Sequence, residues 1–310
     1  MRLCLLSHWP ASVRSIVRQR SRVSSIVPMR KWGGVVEDGG SMRNLSGAVV
    51  LVTGAGAGIG AAEVKLLADR GAQVCAVDID EDAARRSGAA LTIGTDVADR
   101  EAMAAVVDRA VEQFGKLDVV ICNAGITHRP TTLRVLPPGE AQRVFEVNLI
   151  GTLNTIQPAI EPLIASRGHA VVISSLGWPP NAEFGAMLPA AGAIAYASSK
   201  VAVEMLGRGL RLELAQHGVG VTIAYFGPVD TAMARMTLGT PKAKTSEKLL
   251  VSPEVAAAGV LRAIERGKVR AIIPARWKFL DYVRLFGVHL DNQMLRTKSQ
   301  RELIRAYDSS

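Results

Sequence analysis

Tyr196 and Lys200 stand four residues apart in the run Tyr-Ala-Ser-Ser-Lys, so on a helix they share one face and the ammonium reaches toward the phenol. A free tyrosine titrates near ~10, too high for a base at neutral pH, and a neighbouring cation stabilises the phenolate. Lowering it by ~3 units takes about 4 kcal/mol of differential interaction, which Lys200 together with a second positive charge can supply. Another constellation, Thr53-Gly-Ala-Gly-Ala-Gly-Ile-Gly60, follows a β-branched run and opens a helical pattern. Glycines there let the backbone approach a pyrophosphate, whose charge is stabilised by N–H groups at the helix N-terminus. The next apolar run ends in Asp78, 18 residues past Gly60, where a dinucleotide fold places the acid that hydrogen-bonds an adenosine ribose. That carboxylate repels a 2′-phosphate and Ala57 offers no arginine against it, so NAD is expected in preference to NADP.

These residues need a scaffold, and the chain supplies one from residue 47 onward, where short β-rich runs alternate with longer helical patterns. Seven strands are predicted: Val49–Thr53, Gln73–Val77, Ala90–Ile93, Asp118–Cys122, Ala170–Ser174, Gly220–Tyr225 and Val269–Ile273. Most are continuous Val/Ile/Ala runs, as parallel strands buried on both faces require. Ile59, Ala62, Leu66 and Leu67 follow one helical face, and Val203, Leu206, Leu210 and Leu214 another. Pro158 and Pro162 are expected to kink or divide the helix before the fifth strand. The reading is a single α/β domain over 42–310, a doubly wound parallel sheet with helices on both faces.

Several segments match in order what is found in the short-chain dehydrogenase/reductase family, which residues 45 to 275 closely resemble. They are Thr53 to Gly60 (Gly54, Gly58, Ile59 and Gly60 within it), Asp78, Asp96-Val97, Asn123-Ala124-Gly125, Asn148, Ser174-Ser175, Tyr196 to Lys200, and Gly227 to Thr231. The resemblance implies a seven-stranded Rossmann-like sheet in the order 3-2-1-4-5-6-7 and a homodimer or homotetramer. It also implies that Tyr196 takes the alcohol proton while hydride leaves for the nicotinamide of NAD, whose positive charge assists Lys200 in lowering the phenol pKa. Ser175 would hold the substrate oxygen, Lys200 the nicotinamide ribose, and Asn148 a water-linked proton relay. Val229 and Thr231 would match carboxamide and phosphate contacts. The expected function is NAD-dependent interconversion of a secondary alcohol, hydrophobic and steroid- or lipid-like, with its ketone; the alternative is a non-catalytic NAD-sensing or scaffolding protein. Two departures stand out. Ser175 and Tyr196 are 21 residues apart, longer than usual, and the added loop carries Trp178, Phe184, Met187 and Leu188, expected to wall the substrate pocket. The usual Pro-Gly after the sixth strand reads Phe226-Gly227. Residues from Thr231 to Leu250 are read as a polar, loop-like lid where specificity resides.

Other functions are disfavoured. The net charge of +9 suggests an anionic partner, but residues 1–41 hold seven basic residues against Glu37 and Asp38, so five of the nine excess charges lie there. No nucleic-acid partner is expected. The basic segment also has the composition of an organellar transit peptide; a disordered extension ahead of Met42 is preferred. Cys4, Cys75 and Cys122 form no metal-type pair, the five histidines are scattered, and no metal is expected. Cys75 and Cys122 are read as buried strand residues, and a reducing, cytoplasmic location as the default. No G-x-S-x-G occurs, against a hydrolase. Residues 168–199 carry Glu183 as their sole charge, yet Pro179, Pro180 and Pro189 argue against a membrane span. Arg276 to Phe286 is read as an amphipathic helix on the domain, with membrane contact not favoured.

Overall fold

The computed structural model describes residues 43–176, 192–238, 250–278 and 298–308. Its frame is a parallel sheet of seven strands: β1 (Val49–Thr53), β2 (Gln73–Asp78), β3 (Leu91–Gly94), β4 (Val119–Cys122), β5 (His169–Ser175), β6 (Gly220–Phe226) and β7 (Arg270–Ile273). They lie in the order β3-β2-β1-β4-β5-β6-β7, as the family resemblance implies. Each predicted strand is present, with ends moved by a residue or so. Asp118, expected in the fourth strand, precedes it and ties the starts of the two central strands together instead: its carboxylate accepts from the Val49 N–H at 2.8 Å and pairs with Lys116.

The described helices are α1 (Gly58–Ala68), α2 (Glu81–Arg85), α3 (Arg100–Phe114), α4 (Glu140–Phe145), α5 (Gly151–Ser166), α6 (Ile194–Leu214), α7 (Ala232–Leu238), α8 (Pro253–Glu265) and α9 (Lys298–Asp308). Alternate strand residues point to opposite faces. Val49 and Leu51 enter a core shared with α3, α5 and α6, whereas Val50 and Val52 enter one shared with α1 and α8. Val203, Leu210 and Leu214 of α6 are buried in the first core, with Leu206 packed beside them. Cys75 and Cys122 are buried on β2 and β4.

Two expectations are corrected. Of the expected kink or division, division does not occur: Pro158 and Pro162 lie inside α5, which is one continuous helix. Their missing N–H donors are outweighed by Ile156, Ala159 and Leu163, which anchor the helix on the core along the same stretch. The irregularity falls earlier, at a π turn over Glu146–Ile150. Residues 232–238 are helix, not loop. Thr231 caps α7 by accepting the Ala234 N–H at 3.2 Å, and Ala-Met-Ala-Arg-Met continues it with good helix formers. Residues 239–249, the loop with Trp178, Phe184, Met187 and Leu188, and residues 279–297 lie outside the described residues, as do residues 1–42. No described helix is long and apolar enough to cross a membrane.

Glu63 is an anomaly within α1. It is fully buried, and neither carboxyl oxygen has a hydrogen-bond partner among the described residues. Burial pushes its pKa up to about 8. The folded state therefore binds this proton more tightly than the unfolded chain. Its contribution is fully present below the unfolded value of 4.5 and is lost as pH rises through about 8. Between about pH 5 and pH 8 the loss is on the order of 4 kcal/mol. Glu63→Gln is expected to flatten this slope, raising the melting temperature more at pH 8 than at pH 5; parallel melting curves of both proteins check it.

Candidate active site

The loops leaving the C-terminal ends of β1, β4, β5 and β6 surround a cavity of about 370 Å³. This is where open α/β sheets place ligands. The glycine-rich turn after β1 forms one side, contributing Gly54, Gly58 and Ile59. Gly60 stands behind it: a Cβ there would lie 2.1 Å from the Gly54 carbonyl oxygen, so only glycine lets α1 start this close to the turn. Asp78, at the end of β2, also lines the cavity. Its carboxylate accepts from the N–H groups of Gly56 at 2.8 Å and Asp80 at 3.0 Å.

The Asn123-Ala124-Gly125 turn after β4 faces the glycine turn. Asn123 Nδ2 donates to the carbonyls of Thr53 at 3.0 Å and Gly54 at 3.1 Å, and the Ala124 N–H donates to Thr53 Oγ1. From the far end of the sheet come Val229 and Thr231. Their turn, unresolved by sequence reading at Phe226-Gly227, is held by the Gly227 N–H donating to the Ile273 carbonyl and by a parallel bridge between Val229 and Val251.

Ser175 at the end of β5 and Tyr196 and Lys200 on α6 come together in the cavity's lining. The Ser175 hydroxyl hydrogen-bonds the Tyr196 phenol. Tyr196 is half-buried by area, but its hydroxyl end is enclosed, and this desolvation raises its pKa above the usual value despite the Ser175 bond. Lys200 is 4 % exposed; burial brings its pKa down to about 8, partly opposed by the Cys122 thiol. Its Nζ donates to the Ile173 carbonyl at 3.0 Å and lies 5.9 Å from the Tyr196 ring centroid. The expectation that Lys200 lowers the phenol pKa is thus not met within the chain itself: burial acts on both groups, and the ammonium is turned to a backbone carbonyl.

Four predicted site residues stand outside the cavity wall. Asn148, on the π turn, is fully buried; its Oδ1 accepts from the Ile126 N–H at 2.7 Å and its Nδ2 donates to Ser199 Oγ at 2.9 Å. Ser199 in turn donates to the Tyr196 carbonyl. Asp96 pairs with Arg143 at 2.6 Å, Val97 packs where Gly151 leaves room for it, and Gly60 supports the turn as described. Among the lining residues that sequence reading did not single out are His128 and Tyr307. His128 is buried, donates from Nδ1 to the Arg129 carbonyl, and has no hydrogen-bond partner at Nε2 among the described residues. Tyr307 comes from α9, about 130 residues beyond Ser175 in sequence, and no spacing signal connects it to the site. Among the described residues no group of acidic, His and Cys side chains is arranged to hold a metal.

The profile of the short chain dehydrogenases matches residues 48–240. The chain belongs to the short-chain dehydrogenase/reductase family and is an oxidoreductase of that family. The cis-4-hydroxycyclohexanecarboxylate dehydrogenase of Sinomonas cyclohexanicum is 36% identical over 193 residues, 60% of this chain and 74% of that protein. A 3-ketoacyl-(acyl-carrier-protein) reductase from Brucella melitensis, solved with NADH, superposes with a TM-score of 0.67 at 25% identity, covering 74% of this chain and 97% of that one. A short chain dehydrogenase from Burkholderia cenocepacia, solved with NADP, gives 0.67 at 26% identity, covering 82% and 97%.

The residues present fit a dinucleotide: Gly54, Gly58 and Gly60, lacking a Cβ, let the turn pack closely against Ala124, Thr231 and its own backbone at the start of α1, and a carboxylate lines the cavity at the end of β2. Gly60→Ala must push α1 away from the turn, at a cost of about 1–3 kcal/mol. The expected result is a lower melting temperature and NADH affinity reduced at least about tenfold, read by NADH fluorescence titration.

Proposed function

We propose that the protein is an NAD-dependent oxidoreductase interconverting a hydrophobic secondary alcohol and its ketone, with Tyr196 as general acid/base. The observation that carries this is the phenol of Tyr196, hydrogen-bonded by Ser175 and one helical turn from buried Lys200, in a cavity shared with the glycine-rich turn. Nicotinamide, when bound, supplies the hydride acceptor for oxidation and the donor for reduction. In oxidation Tyr196 takes the proton of the alcohol hydroxyl; in reduction it returns one to the carbonyl oxygen. Ser175 holds that oxygen beside the phenol. Lys200, poised near pH 8 by burial, keeps a positive charge close by at neutral pH. Asn148 acts at a distance from substrate, fixing the Tyr196 turn through Ser199 and supporting a water-linked relay.

The preference for NAD is supported by Asp78 at the end of β2, whose carboxylate faces the cavity. Arg85, the nearest arginine downstream in sequence, is committed to Glu81 and Asp82 at 2.6 and 2.8 Å. Ile150 and Leu153 at the start of α5, with Val201, Met205 and Leu212 on α6, are exposed apolar side chains that support a homo-oligomer.

Tyr196→Phe is expected to cut NADH formation from alcohols by about 10²–10⁴-fold while leaving NADH affinity unchanged. Full turnover in this variant would sink the mechanism, and NADH binding with no turnover of any alcohol in the unaltered protein would favour a nucleotide sensor. Asp78→Ala should lower the NAD over NADP ratio of kcat/KM by at least about tenfold; an unchanged ratio removes Asp78 as the discriminator.

A further inference from the structure

One wall of the cavity belongs neither to the nucleotide turns nor to the start of α6. It is Tyr307, the penultimate residue of α9, 4 % exposed although it lies near the end of the chain. Its ring rests on the backbone of Gly192, where φ is +79° and a Cβ would lie 2.5 Å from ring carbon Cδ2. Glycine at 192 therefore serves both the left-handed turn into α6 and the close approach of the aromatic ring. The Gly192 carbonyl accepts from the Thr131 N–H at 2.9 Å, so this turn is joined to the segment after β4. The same segment grips the next residue of α9: the Thr132 hydroxyl donates to the Asp308 carboxylate, and Arg134 pairs with it at 3.1 Å. Three stretches remote in sequence thus meet at one edge of the cavity, and Tyr307 is the aromatic side chain that α9 puts into its lining.

We propose that Tyr307 is the specificity-determining wall of the substrate cavity, held in place by Asp308 through Thr132 and Arg134, and that it selects compact ring alcohols over fused-ring ones. The inference rests on the dehydrogenase reading above and names the substrate class for it. Size supports it. The cavity, about 370 Å³, lies low in the ~300–1,000 Å³ span of small-molecule sites, and the glycine-rich turn shares that space. The Tyr307 ring, fixed at that edge, fills volume that a decalin or steroid skeleton would need more than a single six-membered ring would.

The test uses the full chain, Tyr307→Ala, Tyr307→Phe and Asp308→Asn, with cyclohexanol, 2-decalol and testosterone as alcohols. Circular dichroism melts and NADH titration establish that each variant is folded and binds nucleotide as the parent does. Tyr307→Ala is expected to raise the kcat/KM ratio of 2-decalol to cyclohexanol by at least about tenfold. Tyr307→Phe should restore the parental ratio, and Asp308→Asn should shift it the same way as the alanine variant, by less. A ratio in Tyr307→Ala within about twofold of the parent's overturns the proposal. If no alcohol is turned over, cyclohexanone and 2-decalone are titrated against the NADH-loaded proteins by fluorescence. Tighter 2-decalone binding by Tyr307→Ala sustains the wall even where the catalytic reading has failed; equal affinities, or no ketone binding by either protein, overturn it.

Discussion

A single amide joins the two turns on which the nucleotide side of the cavity is built. Asn123 Nδ2 takes the carbonyls of both Thr53 and Gly54, while the Ala124 N–H takes the Thr53 hydroxyl. Buried backbone acceptors are costly to leave unmet, so the end of β4 cannot drift from the end of β1 without exposing the loss. Because α1 begins against the Gly54 carbonyl, this junction also sets the height of α1 over the sheet. The Asn123-Ala124-Gly125 turn leads directly to Ile126, whose N–H and C=O both engage Asn148. The chain of contacts then passes through Ser199 to the backbone of Tyr196. The nucleotide turn and the reactive phenol are therefore parts of one hydrogen-bonded frame.

Within that frame the charged groups are arranged against the pull of burial rather than by simple pairing. Lys200 surrenders water for one carbonyl and the neighbourhood of a thiol, and its pKa falls toward neutrality. Tyr196 moves the other way for the same reason. Burial thus keeps the phenol protonated in the chain alone while it brings the ammonium nearer to titration at neutral pH. A surface Tyr/Lys pair at the same spacing would not have this property.

Much of this was legible in the chain because it depends on local patterns. The seven strands announce themselves as β-branched runs, and the glycine turn, Asp78 and the Tyr196/Lys200 spacing are each defined within a few residues or one βαβ unit. The features that escaped are those fixed by tertiary packing. The prolines of α5 signal a break by local propensity, but Ile156, Ala159 and Leu163 hold the helix together. The loop reading after Thr231 missed a short helix whose cap was visible in sequence and outweighed by the polar stretch that follows. Glu63 falls in an ordinary helical pattern that says nothing of its burial. Tyr307 is beyond reach of any periodicity, since only the folded chain brings α9 to Gly192.

The two cysteines of the sheet give the molecule an internal gauge. Cys75 pairs in register with Leu51 across the β2–β1 ladder, and Cys122 ends β4 on the other side of β1. Burial pushes the Cys75 thiol up to about 12 and the Cys122 thiol higher still, so neither offers a thiolate to a reagent while the sheet is closed. In a Cys4→Ser background, the rate at which a maleimide reaches these sulfurs reports how often the central strands come apart, and comparing rates with and without nucleotide measures how firmly occupancy locks the frame.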